Sequence, residues 1–420
     1  MVCNRVDIIG ASSAGLYTAL VLARKGIPVR VFEASSHLAP EARTLILTPE
    51  FSRLFPSSAE KVILNRIRQI SLFSRSSYVC VALGEPDIVV DRKMMIQCLA
   101  SEARHAGVEL LLGYQLLGLE KVESELVMKF YRTALGDTIA EKTRVLIAAD
   151  GVRSGVARAL GMNVDTTIAN VQAQIQLPAD IRPDTACVWF ARQDTPYFYW
   201  LIPESSRTAV VGVAADKMPQ AEELLNRFLS DRGWHPLSIQ ASYVAGHNMR
   251  YSSSTSIGDA AIFTVGDAAG HVKVTTIGGV VAGFCGAEAV VRAIMRRENG
   301  HSMRHPIRWE LSLHSLMRAF LNRLSDSDYD KLLGLLNGKT LDLLRRYNRD
   351  ELRHSFWKFP LAQPRWILFA ARIIARSPID RKSWDGILPK RTSRLSVTPD
   401  SVNRGNSAPA AFTMKIGKSD

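Results

Sequence analysis

The sequence predicts an α/β protein in which a parallel sheet is interrupted by an antiparallel one and followed by a helical region. Three observations predict it. Residues 5–33 read as strand, glycine turn, helix and strand. Residues 171–213 alternate like strands between turn signals, and after Gly300 the chain turns helical and basic.

Arg5 to Ile9 is a short apolar strand. Gly10-Ala11-Ser12-Ser13-Ala14-Gly15 turns into a helix that Gly26-Ile27-Pro28 ends, and Val29 to Phe32 closes on Glu33, 23 residues after Gly10. A strand before the turn, a helix after it and an acid at that distance together describe a Rossmann-like dinucleotide site. Ser12 stands where the middle glycine of G-x-G-x-x-G belongs, which leaves slightly less room for a pyrophosphate. Asp91-Arg92 then opens a helix (Lys93 to His105), and Val108 to Leu112 is a strand. Gly113 to Tyr131 and Thr138 to Thr143 read as a β-meander. Val145 to Ala149 is a buried strand ending in Asp150-Gly151-Val152-Arg153-Ser154. Val171 to Val213, with turns at Asp180 to Asp184 and Glu204 to Arg207, reads as a separate antiparallel sheet, and Ala241 to Arg250 crosses back.

The block Val265 to Gly279 says most about chemistry. Asp267 follows an apolar strand, and Gly278-Gly279 opens a helix rich in small residues, Val280 to Arg297. An acid at a strand tip accepts hydrogen bonds from a polyol, and a helix N-terminus offers N–H groups and positive potential to an anion. A flavin needs both.

With 420 residues, 47% of them hydrophobic, the chain is long enough for one large core or two joined ones. No run of about 18 uncharged apolar residues predicts a spanning helix. The first residues lead straight into a strand, so the expected location is cytoplasmic. Cys3, Cys80, Cys98, Cys187 and Cys285 are scattered, which argues against a disulfide framework or a metal site. A net charge of +13 attracts anionic surfaces, but no nucleic-acid-binding motif is present.

Three segments in order resemble the single-component flavoprotein hydroxylase superfamily: the glycine turn with Glu33, then Ala149-Asp150-Gly151-x-x-Ser154, then Gly266-Asp267. More narrowly, GDAAGHVKVTTIGG at Gly266 to Gly279, RTLILTP at Arg43 to Pro49 and FYWLIP at Phe198 to Pro203 resemble the geranylgeranyl reductase family. Val274 and Ile277 depart from that family's KPTTGGG. Archaeal members often carry a cysteine near the flavin, where this chain reads Ala42-Arg43-Thr44.

The resemblance implies an FAD-binding domain at residues 1–165 and 255–300, interrupted by a substrate-binding antiparallel sheet at 166–254. A helical region at 301–385 and a disordered tail at 386–420 follow. It implies that Gly10 and Ser13 bind the cofactor, that Ala14 and Gly15 lie against the FAD pyrophosphate and that Glu33 takes the adenosine ribose hydroxyls. Arg43, Arg92 and Asp150 would contact the cofactor, and Leu116 would lie by the adenine. Gly266 and Asp267 would meet the ribityl chain, and Gly278, Gly279 and Val280 would turn backbone N–H groups toward the ring. Phe198, Trp200, Pro203, His271 and Lys273 would meet substrate, and no catalytic residue is assigned. The reaction it implies is reduction of a prenyl-lipid C=C bond by hydride from reduced flavin. With one dinucleotide fingerprint, NAD(P)H would bind transiently or another electron donor would replace it.

Two alternatives stay open. One is an FAD-dependent monooxygenase or halogenase-like enzyme acting on an aromatic or polyketide substrate, since W-x-I-P stands at Trp200 to Pro203. The other is a flavin-binding protein without catalysis. Arg365 to Arg376, with Arg345, Arg346, Arg349 and Arg353 before it, reads as a basic amphipathic stretch. It suits either peripheral contact with a membrane or packing on the domain.

Overall fold

A computed structural model describes residues 5–38, 43–55, 59–123, 125–160, 167–246, 255–257, 259–296 and 306–376. The chain opens with β1 (Val6–Ile9), α1 (Ser13–Ala23) and β2 (Val29–Glu33), then β3 (Thr44–Leu47), α2 (Glu50–Leu54), β4 (Ile63–Phe73) and β5 (Tyr78–Asp91). Next come α3 (Arg92–His105), β6 (Glu109–Leu112), β7 (Tyr114–Val122), β8 (Glu125–Arg132), β9 (Asp137–Thr143), β10 (Val145–Ala148) and α4 (Gly155–Ala159). The middle of the chain supplies β11 (Thr167–Gln176), β12 (Thr185–Trp189), β13 (Tyr199–Pro203), β14 (Thr208–Ala215), α5 (Met218–Ser230) and β15 (Ser238–Ala245). β16 (Thr255–Ile257), β17 (Ala260–Thr264), a 3-10 turn (Gly266–Ala269) and α6 (Val280–Arg296) follow. The last helices are α7 (Pro306–Leu321), α8 (Asp326–Gly334), α9 (Lys339–Arg346), α10 (Leu352–Ser355), α11 (Lys358–Ala362) and α12 (Arg365–Arg376).

The first sheet runs β16-β17-β10-β1-β2-β6, parallel except at β16. Its centre is apolar on both faces, with Ile8 between Ile147 and Val31 and all three fully buried, as a parallel sheet covered on two sides requires. On one face α1 packs against α3 and α6, and Tyr17 stacks on Phe284 at 4.2 Å. On the other lies the meander β7-β8-β9, whose Phe130 stacks on Phe32 at 4.4 Å.

The second sheet has eight strands in the order β15-β11-β14-β13-β12-β4-β5-β3. It is larger than residues 166–254. Residues 44–91 lend it β3, β4 and β5, so the expected cofactor range 1–165 is itself split. The link is long-range: β12 joins β4 in parallel, Thr185–Trp189 against Gln69–Phe73, and a local sequence pattern carries no trace of such a pairing. Alternation sorts its two faces. Tyr199, Leu201, Val211 and Val213 form a core that also holds Leu225 and Phe228 of α5, while Trp200, Ile202 and Val210 turn the other way. The expected tail at 386–420 lies outside the described residues.

Trp200 is held flat by its cross-strand neighbour. It pairs with Gly212, and a Cβ built on Gly212 would lie 2.4 Å from Trp200 Cζ2 and 2.8 Å from the Val171 carbonyl oxygen. Gly212→Ala is therefore expected to lower the unfolding free energy by about 1–3 kcal/mol, the usual cost of overpacking. It is also expected to shift the tryptophan emission. Denaturant titration followed by fluorescence checks both, and an unchanged midpoint would show that the indole is not confined by β14.

Candidate active site

A cavity of about 1300 Å3 lies where the N-termini of α1 and α6, the open face of the eight-stranded sheet and α7, α9 and α10 converge. Its floor is made by two tight turns. Gly10 has φ +102°, and a Cβ there would sit 2.5 Å from the Ala149 carbonyl oxygen; a Cβ on Gly15 would sit 2.1 Å from the carbonyl oxygen of Gly10. Only glycine lets β1, α1 and β10 approach so closely. Ser12 does more than fill the place of a glycine. It caps α1, accepting from Gly15 N at 3.2 Å, and its hydroxyl donates to the Ala149 carbonyl at 3.0 Å. The second turn abuts the first, since a Cβ on Gly266 would touch the Ala14 Cβ at 2.8 Å.

Asp267 rises from that second turn between Arg43 and Arg92. Burial pushes its carboxyl above the usual carboxylate range, and the two arginines pull the other way. Among the described residues no hydrogen bond or ion pair satisfies this carboxylate. Arg43 donates to Ser242 Oγ at 2.5 Å, and its guanidinium is pushed down to about 10 by burial, with Arg92 adding to the shift. Asp150 is occupied differently. Its Oδ2 accepts from Gly155 N at 2.8 Å and Val156 N at 3.2 Å, so it anchors the start of α4 while also lining the cavity. Burial raises its carboxyl as well. Glu33 lies at the tip of β2, outside the cavity, with its carboxylate accepting from Ala11 N at 2.8 Å and Ser35 N at 3.0 Å.

Ser13, Ala14, Arg43, Arg92, Asp150, Gly266, Asp267, Lys273, Gly278, Gly279, Val280, Phe198 and Trp200 all line the cavity. Gly10 and Gly15 form the turn beneath it. Besides Glu33, three further expected residues do not reach it. Leu116, on β7, packs with the core under the meander. Pro203 has the parity of Tyr199 and Leu201, so it does not share the face of Trp200. His271 is fully buried, with Nδ1 accepting from Gly266 N at 3.2 Å and its ring lodged where a Cβ on Gly286 would be. It is therefore a prop for the turn and does not contact substrate from there.

Lys273 reaches the cavity wall but is engaged, its Nζ 2.5 Å from Asp350 Oδ1. Thr48 Oγ1 also donates to Asp350. Burial would raise the Asp350 carboxyl, yet Lys273, Thr48 and Arg349 together hold it below its ordinary range. Nearby, Arg318 is 2% exposed and donates to the carbonyls of Val274 (3.1 Å), Thr275 (2.9 Å) and Pro196 (3.0 Å). Thr275 Oγ1 meets His314 Nδ1, and burial lowers that imidazole's pKa. Arg349, read from the sequence as part of a basic surface, instead bridges to the buried Asp87. Asp350, Arg318 and His314 were not visible as site residues, because their partners lie far away in the chain and no motif marks them. Among the described residues no group of three or more His, Cys, Asp or Glu could hold a metal ion.

The donor set fits FAD. Two helix N-termini flank a glycine cradle, two arginines line the same cavity, and the Asp267 carboxylate lies between them. The FAD binding domain family model matches residues 73–303, which is more than half of the chain. The chain belongs to this family of FAD-binding proteins, and its cofactor is FAD. It is 27% identical over 284 residues to digeranylgeranylglycerophospholipid reductase 2 of Methanothermobacter thermautotrophicus, covering 61% of this chain and 71% of that one. Its fold is similar to that of a geranylgeranyl bacteriochlorophyll reductase-like protein from Thermoplasma acidophilum (TM-score 0.69, 18% identity, 85% of this chain and 97% of that one). A flavin-dependent halogenase shares it less closely (TM-score 0.61, 17% identity, 87% and 78%). The chain is an FAD-dependent oxidoreductase of geranylgeranyl reductase-like character.

Two outcomes follow from this geometry. Asp267→Asn is expected to weaken FAD binding roughly 10-fold or more, the scale of a lost hydrogen bond to a charged group, as measured by titrating apoprotein with FAD. Folding raises this carboxyl's pKa, so its contribution to stability is present at acidic pH and is lost as pH rises through the raised value. The Asn apoprotein should therefore gain on wild type as pH climbs above the carboxylate range. Identical wild-type-to-variant differences at acidic and neutral pH would contradict this. Separately, Lys273→Met and Asp350→Asn should each cost about 3–5 kcal/mol by stranding a buried charge, and the double variant less than their sum. Strict additivity in a double-mutant cycle would show that the pair is not coupled.

Proposed function

We propose that this oxidoreductase reduces C=C bonds of a geranylgeranyl or related prenyl-lipid substrate. The observation that carries the reading is the shape of the cavity. From Asp267 and the glycine pair it continues along an apolar wall of Ile70, Leu72, Val81, Leu83 and Trp200 to Met317 and Leu321 of α7. A long hydrocarbon fits such a wall better than a small phenol does. The name of the Methanothermobacter relative supports the same substrate class.

When bound, reduced FAD would supply a hydride to one carbon of the double bond, and a proton from solvent would complete the neighbouring carbon. The residues of this chain do the rest. Asp267 accepts from hydroxyls, and Gly10, Ser13, Ala14 and Gly15 admit the pyrophosphate to the start of α1. Arg43 and Arg92 offset its charge, and Glu33 takes the adenosine ribose. The amides of Gly278, Gly279 and Val280, at the positive end of α6, favour negative charge on the reduced ring. Phe198 and Trp200 border the hydrocarbon. Lys273, held by Asp350, fixes the loop that carries those amides. NAD(P)H or another donor supplies the electrons. The apolar substrate reaches the protein from a lipid surface, so the enzyme works at the periphery of a membrane; no helix among the described residues is long and apolar enough to cross one.

The test is an anaerobic reaction of chemically reduced holoenzyme with digeranylgeranylglycerophospholipid. Flavin reoxidation and a gain of two hydrogens per reduced bond in the lipid mass are expected. Reoxidation only in air, with NADPH consumed in the presence of a phenol, would replace the proposal with the monooxygenase reading. A yellow protein inert to both would make it a flavin carrier.

A further inference from the structure

α12 is apolar on two opposite sides. Phe369 and Ile373 are buried against Leu324 and Tyr329, which is the ordinary packing of an amphipathic helix. The far side should then be polar. Instead it presents Ile367, Leu368 and Ile374, which are 57%, 72% and 41% exposed. Leu361 of α11 and Trp357 just before it are 82% and 67% exposed. The two helices are joined through Phe359 and Trp366, whose ring centroids lie 5.9 Å apart.

The charge on this segment is of one sign. Residues 352–376 contain five Arg or Lys and no Asp or Glu. Arg376 is paired with Asp328, but Arg365 and Arg372 are exposed and make no ion pair among the described residues. Exposed Trp, Leu and Ile beside unpaired arginines is the composition of a helix that lies in a lipid interface. A second copy of the chain would bring one cationic face against another, which is electrostatically unfavourable. An anionic bilayer is complementary in both respects.

The cavity reaches this same place. Phe359, which joins α11 to α12, also lines the cavity, as do Leu352 and Ser355 of α10. We infer that the α11–α12 face docks on an anionic lipid surface and sets the cavity's outer end against the bilayer, the route by which a prenyl chain enters. The route rests on the prenyl-lipid reading; the docking rests on the exposed side chains alone.

Flotation of FAD-loaded full-length protein with vesicles tests the docking. With phosphatidylcholine mixed with phosphatidylglycerol the protein should float, and with phosphatidylcholine alone it should bind far more weakly. Arg365→Gln with Arg372→Gln should weaken binding ~30-fold, each arginine near an anionic surface contributing about fivefold. Ile367→Glu with Leu368→Glu should abolish it. These side chains are exposed, so unchanged FAD content and melting temperature are expected and confirm intact folding. Wild-type protein that stays unbound, or variants that float like wild type, would overturn the inference. So would a wild-type dimer that the Glu variant converts to monomer, since the face would then belong to a second copy. The substrate reading fails separately. Protein that floats but reduces no prenyl lipid keeps the docking face, whereas protein that reduces the lipid without floating loses it.

Discussion

Lys273 and Asp350 stand 77 residues apart in the chain and meet with side chains only 7% and 13% exposed. A charge pair placed so deeply gives up most of its hydration, and its attraction roughly offsets that loss without clearly exceeding it. Its value is geometric. Lys273 opens the short loop that ends at Gly278-Gly279, and Asp350 belongs to the turn between α9 and α10. Through this pair the start of α6 is registered against the helical region. Arg318 reinforces the registration from α7 by binding two carbonyls of the same loop, and His314 adds a third hold through Thr275. If the loop moved, the positive end of α6 would point away from the cavity that Gly278, Gly279 and Val280 line.

The parts of the site legible in the sequence are those whose chemistry is local. The glycine turn, Asp267 and the glycine pair each combine a strand end or helix start with a residue type that such a position selects, so spacing alone reveals that they line or underlie the cavity. The alternation of residues 198–203 is local too. Yet reading it as a motif placed Pro203 with Trp200, although a strand sends them to opposite faces. His271 was misplaced for a related reason. It lies between Asp267 and the glycines in sequence, but the turn at Gly266–Ala269 directs the ring inward against α6. What spacing cannot reveal is pairing over distance. The parallel union of β4 with β12 put residues 44–91 in the second sheet, and Asp350 and Arg318 joined the site from helices that carry no motif.

Departures from a familiar pattern have different weights once the geometry is known. Ser12, in the place of a glycine, caps α1 and donates to the Ala149 carbonyl just after β10. Val274 takes the place of a proline, and its carbonyl accepts from the buried Arg318.

Ile277 is the departure that leaves a mark. It is a β-branched residue at φ +57°, a backbone conformation that glycine adopts freely and isoleucine only under duress, at about 1–2 kcal/mol. Its side chain packs, as that of Trp200 does, against the cluster of Ile168, Ala214 and Val244 in the large sheet. Glycine at that position would end the loop in a free pivot. Isoleucine instead ties the loop to the large sheet through that cluster, just before α6 begins.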